Sequence, residues 1–473
     1  MKIIIVGAGR VGESVARNLA SEKNEITIID PKADLIALVQ NQIDLRGIVG
    51  NAVEPSVLKA AGAGEAQMMI ACASAAETNL VVCKLAHDLF KIPTTVARIS
   101  YDDYQNGSEI LRKDGGFAVD YVICPEKSVT NYIHELIDHP EALQVLKFAE
   151  GLLSLVAVRA VADSVLARHT IAEIPSLIPN IQMRIVAIYR DGGTFIYPDQ
   201  STQIQPGDEV FLLAPKDHIH NALGAIHDFD RPIKRIMIAG GGRVGYRLAK
   251  TLSKDHQVKI LEGNKSRCEY LSAELSSKVI VLHGNSNDEN ILIEENINSM
   301  DLFLSLTSND QDNIMSSLLA KKLGARRVIT LINRKSYAEL IEGSQIDIAI
   351  SPASTIIGEL LAYVRRGDVE AVHSLRGGAA EALEGLVRGD QKNSQLIGKQ
   401  ISEINLPEGA QIGAIVRGRH LPDGSLANLA QAQIRIIFPE KVTRIEPWDH
   451  LVIFLPNRRS VHAVEKLLNA DRD

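Results

Sequence analysis

The stretch MKIIIVGAGRVGESVARNLA, residues 1–20, joins a short apolar run to a glycine-rich turn and then to an amphipathic pattern. The same order returns at residues 234–252 as KRIMIAGGGRVGYRLAKTL. In a strand–GxGxxG–helix unit the first glycine permits the tight turn, the second lets a pyrophosphate approach the backbone, and the third lets helix and strand pack closely. Each stretch therefore predicts a parallel-sheet unit with a phosphate-binding turn.

The similarity between the two halves continues beyond these turns. ITIID, which ends at Asp30, corresponds to VKILE, which ends at Glu262. Further along, VGNAVEPSVL corresponds to HGNSNDENIL, and ASAAETNLVVCKLA corresponds to TSNDQDNIMSSLLA. Self-similarity at a nearly fixed offset marks a structural unit used twice. Alternating apolar strands and helical patterns predict that each unit is a doubly wound parallel sheet.

A second type of unit follows each sheet. At Pro125 and again at Pro352 a strand gives way to a long amphipathic helical pattern, and short β-type runs with Gly and Pro turns come after it. The second copy carries a 14-residue insertion, which we place in LPDGSLANLAQAQIRIIFP, residues 421–439. DFDRP, residues 228–232, is the predicted link between the halves. The predicted domains are 1–125, 126–228, 232–352 and 353–473.

Composition limits the function classes. The formal net charge is −7 and the sequence pI is about 6.0, and Lys and Arg are scattered, which argues against a nucleic-acid partner. There is no apolar window of 18 residues or more, and the N-terminus predicts a strand, not a signal peptide. The four cysteines lack CxxC spacing, so neither a disulfide framework nor a zinc site is expected.

Acidic residues end the second strand of each predicted sheet, at Asp30 and Glu262. A carboxylate at this position accepts hydrogen bonds from both ribose hydroxyls and repels a 2′-phosphate, so the pattern favours NAD or other adenine nucleotides over NADP. The alternative is that both acids only cap a strand end.

Other candidate ligand contacts come from the turns and from later strand ends. Arg98 follows the fifth strand and can clamp a phosphate, whereas the aligned residue in the second half is Leu331. The arginines within the turns are either phosphate contacts or solvated surface residues. Small residues in CAS and LTS can line the nucleotide, cap the next helices, or do both. The predicted binding residues are Gly7, Ala8, Gly9, Arg10, Val11, Gly12, Asp30, Ala73, Ser74 and Arg98 in the first half, and Gly240, Gly241, Gly242, Arg243, Val244, Gly245, Glu262, Thr307 and Ser308 in the second.

Catalytic patterns are missing from the sequence. It has no HExxH, no GxSxG, no Walker lysine after either turn, and no histidine shared between the two copies of the C-terminal unit. We therefore expect a non-enzymatic sensor with no metal site. An NAD-dependent oxidoreductase with an unrecognised substrate stays open as the alternative, and a redox-sensing transcription factor would need a basic reading helix that the sequence lacks.

The segments MKIIIVGAGRVGESVARNLA, DLRGIVGNA, VDYVICPEKSVTNYI, ALQVLKFAEG and KRIMIAGGGRVGYRLAK resemble the TrkA family, the cytosolic regulatory subunits of bacterial Trk potassium uptake systems. The resemblance covers nearly the whole chain. It implies an α/β fold with two Rossmann-like RCK (TrkA-N) domains, each followed by a small α+β TrkA-C-type domain.

The same resemblance implies ligands and partners. Members of the family bind NAD(H), and also ATP or ADP, at positions that match the residues named above. They pair and assemble as a tetrameric ring beneath a TrkH- or TrkG-type potassium-translocating membrane protein, on the cytoplasmic face of the membrane. Leu331 in place of an arginine leaves the ligand of the second pocket open.

Overall fold

The computed structural model describes residues 1–20, 24–100, 104, 108–191, 193–226, 232–341, 344–364, 369–376, 379–389, 393–418 and 434–468. The predicted link at 228–232 lies outside the described residues except for its last position. The segment predicted to hold the insertion is residues 421–439, and its first thirteen residues, 421–433, also lie outside the described residues. None of the described helices is both long enough and apolar enough to cross a membrane.

The first sheet is six-stranded and parallel, as the alternation of strands and helices predicts. Its elements are β1 (Lys2–Val6), α1 (Arg10–Ala20), β2 (Glu25–Asp30), α2 (Ala33–Gln40), β3 (Arg46–Val49), α3 (Pro55–Ala60), β4 (Met68–Ala71), α4 (Ala76–Phe90), β5 (Thr94–Arg98) and β6 (Tyr121–Ile123). The strand order is β3-β2-β1-β4-β5-β6. The order reverses between β1 and β4, and that reversal opens a crevice at the carboxyl ends of the strands.

An antiparallel unit follows. It contains α5 (Pro125–Asp138), β7 (Ala142–Phe148), β8 (Leu153–Arg159), α6 (Ile174–Leu177), β9 (Arg184–Arg190), β10 (Thr194–Ile196), β11 (Glu209–Pro215) and α7 (Lys216–Ile226). The five strands are ordered β10-β9-β11-β8-β7. Helices and an antiparallel sheet in one small unit give the predicted α+β class.

The second parallel sheet repeats the first. Its elements are β12 (Arg235–Ala239), α8 (Arg243–Leu252), β13 (Gln257–Glu262), α9 (Lys265–Glu274), β14 (Val279–His283), α10 (Glu289–Glu294), β15 (Leu302–Ser305), α11 (Asp310–Lys322), β16 (Arg327–Leu331), α12 (Lys335–Leu340) and β17 (Ile348–Ile350). The order β14-β13-β12-β15-β16-β17 matches that of the first sheet strand for strand. The prediction of two Rossmann-like sheets is confirmed.

The last unit has α13 (Pro352–Val364), β18 (Val369–Leu375), β19 (Ala380–Leu386), β20 (Gln411–Arg417), β21 (Arg435–Ile437), β22 (His450–Leu455) and α14 (Val461–Leu468). Its strand order, β18-β19-β22-β20-β21, is that of the first antiparallel sheet. Seventeen residues separate β20 from β21, whereas three separate β9 from β10. The difference equals the 14-residue insertion and places it between these two strands.

The two halves exchange helices. Helix α5 follows the first parallel sheet, yet its residues Val129, Ile133 and Leu136 are buried in the core of the second one. Helix α13 follows the second sheet and buries Ile356 and Leu360 in the core of the first. Complete burial of each such side chain stabilises the fold by about 1.5–3 kcal/mol. Each parallel sheet is therefore completed by a helix from the other half.

The exchanged helices also touch each other. The Ser128 hydroxyl on α5 donates to a carboxylate oxygen of Glu359 on α13 at 2.8 Å. The rings of Tyr121 and Tyr363 stack with their centroids 4.6 Å apart. Beyond the helices, the two antiparallel sheets share one core, where the rings of Phe195 and Phe454 lie 5.9 Å apart. The chain is thus an interlocked pair of halves.

Candidate functional site

The first and third glycines of each turn are required by the backbone. Gly7 and Gly240 have φ values of +96° and +101°, in the left-handed region that glycine adopts most easily. A Cβ on Gly12 would lie 1.8 Å from the carbonyl oxygen of Gly7, and a Cβ on Gly245 would lie 2.1 Å from that of Gly240. Helix and strand approach too closely at these points for any side chain.

The middle glycines, Gly9 and Gly242, are different. A Cβ built on either one meets no protein atom within 4 Å, and both residues are exposed. Each precedes the first residue of a helix, α1 or α8, where free backbone N–H groups and the helix dipole favour an anion. The protein therefore leaves open the space that a phosphate occupies in a dinucleotide-binding turn.

The two acids hold their turns by direct hydrogen bonds. Asp30 accepts from the backbone N–H of Ala8 at 2.8 Å and from that of Lys32 at 2.9 Å. Glu262 accepts from the backbone N–H of Gly241 and from that of Asn264, both at 2.8 Å. These bonds use two of the roughly four acceptor positions of a carboxylate. The acids thus cap the strand ends and keep acceptor capacity for ribose hydroxyls, so the two interpretations are compatible.

A buried asparagine in each half fixes the crevice, and the sequence reasoning missed both. Asn79 accepts from the backbone N–H of Ala73 at 2.8 Å and donates to the carbonyl oxygens of Ala73 and Arg98 at 3.0 and 2.8 Å. Asn313 makes the same three contacts with Thr307 and Leu331. The signal was present, because both asparagines stand at one aligned position in ETNL and QDNI.

The small polar residues at these strand ends do not cap the following helices. Asn309 caps α11 by accepting from the backbone N–H groups of Gln311 and Asp312, and the residue before α4 makes no side-chain cap bond. The helix-cap interpretation of Thr307, Ser308 and Ser74 is therefore wrong. The asparagines hold the backbones of Ala73 and Thr307 at the strand ends, and the crevice-lining role of these segments stays a prediction.

Charged groups from both halves meet at the end of β5. Arg98 Nη2 lies 3.6 Å from Oε1 of Glu126, the second residue of α5. Arg243 Nη1, from the second glycine turn, lies 3.7 Å from the same oxygen. The Arg247 side chain donates to the carbonyl oxygen of Ser100 at 3.4 Å. The structure thus brings the second turn against the end of β5 in the first crevice, whereas Arg10 is exposed.

At the aligned positions of the second half, which lie within the described residues, this charged pair is absent. The bond from Asn313 to Leu331 shows that Leu331 occupies the position of Arg98, as the alignment predicted. Ala353 follows Pro352 as Glu126 follows Pro125, so the acid is missing as well. The two crevices share their turns and acids and differ in the residues at the end of the fifth strand and at the start of the helix that follows each sheet.

The second crevice contains a cleft of about 550 Å³. Its lining includes Gly242, Glu262, Asn264, Ser266, Arg267 and Tyr270. Arg267 and Tyr270 were not predicted, because polar residues within a helix read as solvent-facing. Arg267 Nε donates to the carbonyl oxygen of Gly241 at 2.7 Å, which fixes the side chain at the mouth of the turn.

Within the described residues no group of three or more His, Cys, Asp or Glu side chains is placed to hold a metal ion. Burial raises the pKa of the Cys72 thiol, the cysteine at the end of β4, to about 12. A thiol with that pKa is protonated at neutral pH and is a poor nucleophile. The Cys72 thiol at the crevice is therefore not an activated nucleophile.

Two family models and several known proteins match this chain. The family model of the TrkA-N domain matches residues 3–125 and 236–352, and that of the TrkA-C domain matches residues 155–225. The Trk system potassium uptake protein TrkA of Vibrio alginolyticus is 43% identical over 467 residues, which is 99% of this chain and 98% of that protein.

Solved structures show the same fold at lower identity. The crystal structure of the GsuK RCK domain superposes with a TM-score of 0.60 at 17% identity and covers 99% of this chain and 94% of that one. The GsuK channel bound to NAD gives a TM-score of 0.59 at 16% identity and covers 99% and 78% of the two chains. These two structures support the fold alone, and the family rests on the sequence relatives.

Proposed function

Because this chain belongs to the TrkA family of Trk potassium uptake proteins, we propose that it is a non-enzymatic regulatory subunit of such a system. It binds NAD(H), and also ATP or ADP, in its two crevices and changes conformation in response. That change gates a TrkH- or TrkG-type potassium-translocating membrane protein. The chain acts on the cytoplasmic side, attached peripherally to the inner face of the cell membrane, as part of a dimer-to-tetramer RCK ring.

The observation that carries this proposal is the open space over Gly9 and Gly242, beside acids that are already oriented. In each turn the first and third glycines are packed against backbone atoms, whereas no protein atom lies within 4 Å of a Cβ built on the middle glycine. Such a gap has no packing role, and a bound pyrophosphate is what fills it in dinucleotide-binding turns. The GsuK channel, which shares the fold, was solved with NAD bound.

We propose the predicted binding residues as the ligand contacts, with roles taken from the geometry. The backbone N–H groups from Gly9 to Gly12 and from Gly242 to Gly245 face the phosphates in this proposal, while those of Ala8 and Gly241 hold the acids. Asp30 and Glu262 accept from the ribose hydroxyls, and Ala73 and Thr307 line the crevice. In the proposed binding mode Arg98 gives up its ion pair with Glu126 and contacts the phosphates of the ligand in the first crevice. Arg243 lies beside the same glutamate. The four domain boundaries predicted from the sequence form part of the proposal.

Modest binding differences are sufficient for gating. Moving a two-state ring from 1:99 to 99:1 takes about 5.5 kcal/mol of differential binding. A tenfold preference per site is worth about 1.4 kcal/mol, so four coupled sites supply the required free energy. Because the halves are interlocked through α5 and α13, a change at one crevice is transmitted to the other half through shared core residues.

The test uses Gly9→Ala and Gly242→Ala. A methyl group at either position meets no protein atom, so both variants are expected to fold as the wild type does and to lose affinity only where a ligand approaches the turn. Calorimetric titration with NADH and with ATP is expected to show at least tenfold weaker binding at the altered site, and the double variant is expected to lose control of potassium uptake in cells.

The matched control is Gly62→Ala, where a Cβ also meets no atom and the residue lies outside both crevices. Its positive φ of +85° predicts a small loss of stability without a change in nucleotide affinity. The proposal fails if the wild-type protein binds neither NADH nor ATP, or if its deletion leaves potassium uptake unchanged. Steady turnover of NADH with a metabolite would contradict the non-enzymatic role.

A further inference from the structure

One wall of the second crevice consists of planar side chains. The Arg267 guanidinium lies over the ring of Tyr270, with Cζ 4.6 Å from the ring centroid. It also lies 5.9 Å from the ring centroid of Tyr246, and the two rings are 6.1 Å apart. The hydrogen bond from Arg267 Nε to Gly241 holds the guanidinium in place. The wall is therefore formed before any ligand arrives.

The aligned positions of the first half, all of them described, do not carry these planar side chains. Arg267 and Tyr270 are the third and sixth residues of α9, and the third and sixth residues of α2 are Leu35 and Leu38. Tyr246 comes four residues after the middle glycine of its turn, where the first half has Glu13. All three planar groups are thus replaced by residues that have neither an aromatic ring nor a guanidinium.

We propose that the second crevice recognises its ligand from the base end, with the adenine ring stacked against Arg267 and Tyr270. This inference rests on the proposed nucleotide-binding function and deepens it. The ligand chemistry is the adenosine moiety that NAD, ADP and ATP share. The first crevice, with Arg98, selects at the phosphate end, so the two halves read opposite ends of the same class of molecule.

Three observations support a base platform. Arg267 and Tyr270 line the cleft together with Glu262, the residue that meets the ribose in the proposed binding mode. A guanidinium stacked on an aromatic ring is planar and weakly hydrated, which suits it to contact with a heterocycle. The second half has Leu331 where the first half has Arg98, so the arginine that the first half offers to a phosphate is replaced by an apolar side chain.

The experiment isolates the second crevice by using the Gly9→Ala background. Arg267→Leu and Tyr270→Leu reproduce the first half and are titrated with AMP, ADP and NAD. Base stacking is worth about tenfold or more in affinity. We expect a loss of about that size, equal for the three ligands because all three carry adenosine. Binding of ethenoadenosine monophosphate is expected to quench its fluorescence, and the leucine variants are expected to lose that quenching.

Conservative variants separate stacking from charge. Tyr270→Phe keeps the ring and is expected to bind normally, whereas Arg267→Lys keeps the charge, loses the plane and is expected to bind weakly. Leu38→Ala, the matched change in the first half, is expected to have no effect in this background. Tyr270 is 46% exposed, so its variants are expected to fold even if a change at Arg267 lowers stability.

Several results would overturn the inference. Unchanged affinity in both leucine variants would do so, as would full binding by Arg267→Lys. A loss confined to ADP and NAD, with AMP binding unchanged, would assign Arg267 to the second phosphate instead of the base. If neither the Gly9→Ala protein nor the wild type binds any adenine nucleotide, the proposed function itself is wrong, which is a different outcome from binding that ignores Arg267.

Discussion

Replacing Asn79 with alanine tests how the crevice is held open. The side chain is completely buried and makes three hydrogen bonds, at 2.8, 3.0 and 2.8 Å, to the backbones of Ala73 and Arg98. Each such bond contributes about 1 kcal/mol net to stability, so the loss of all three is expected to lower the free energy of unfolding by about 3 kcal/mol. The loss of stability stays near this value because Ala73 is half-buried, so water can form some of the hydrogen bonds that Asn79 no longer makes.

The same change is expected to weaken nucleotide binding in the first crevice, since Asn79 ties the end of β4 to the end of β5. Guanidinium unfolding gives the stability difference, and calorimetry with NADH gives the affinity. Asn313→Ala is expected to behave alike in the second half, where Asn313 makes the equivalent contacts. Asn290→Ala, at an exposed helix position, is the control and is expected to change stability by less than about 0.5 kcal/mol. A cost below about 1 kcal/mol for Asn79→Ala would refute the reasoning.

Two further changes test the contact between the halves. Ile133→Ala on α5 is expected to lower the free energy of unfolding by about 2–5 kcal/mol. Hydrogen exchange is expected to show faster exchange in the second parallel sheet, because Ile133 is buried in the core of that sheet. Faster exchange only in the first sheet would contradict the helix exchange, and so would an equal effect of the control Asn131→Ala at an exposed position. Burial raises the pKa of the Glu359 carboxyl above its ordinary value of 4.5, against the lowering effect of the Ser128 hydrogen bond. Since the folded state holds this proton more tightly, its contribution to stability is complete below pH 4.5 and is lost as pH rises through the raised pKa. Glu359→Gln is therefore expected to be more stable than the wild type at pH 7 and equal to it at low pH in matched unfolding curves, and identical curves at pH 7 would refute this.

The parts of the fold that depend on local pattern could be predicted from the sequence. Glycine spacing, strand-ending acids and the internal repeat are local or pairwise features, and they gave both parallel sheets and the family. The alignment of Arg98 with Leu331 was also correct, because strand registers fix it. The domain boundaries and ligand contacts stay predictions.

The helix exchange could not be predicted. The apolar stripe of α5 shows that the helix must be covered, but the pattern does not say which sheet covers it. The choice depends on the length and direction of the whole chain. For the same reason the sequence reasoning could not place Arg243 beside Glu126, since that contact joins the two halves.

Side chains with an unusual role for their type were also missed. Asn79 lies within a helical pattern where a polar residue normally faces solvent, and only the structure shows it to be completely buried. Arg267 likewise reads as a surface charge until its contacts with Gly241 and Tyr270 are seen. In both cases the deciding information is a tertiary contact, which a single sequence does not contain.

The exchange of α5 and α13 also has an evolutionary consequence. In a symmetric dimer of identical chains, every substitution alters both binding sites at once, so neither site can change without the other. Here the two halves are separate parts of one chain, and the exchanged helices α5 and α13, each buried in the core of the other half, hold them together. The two crevices could therefore diverge separately, and their sequences have done so: arginine stands at 98 and leucine at the aligned 331, and leucine stands at 35 and arginine at the aligned 267.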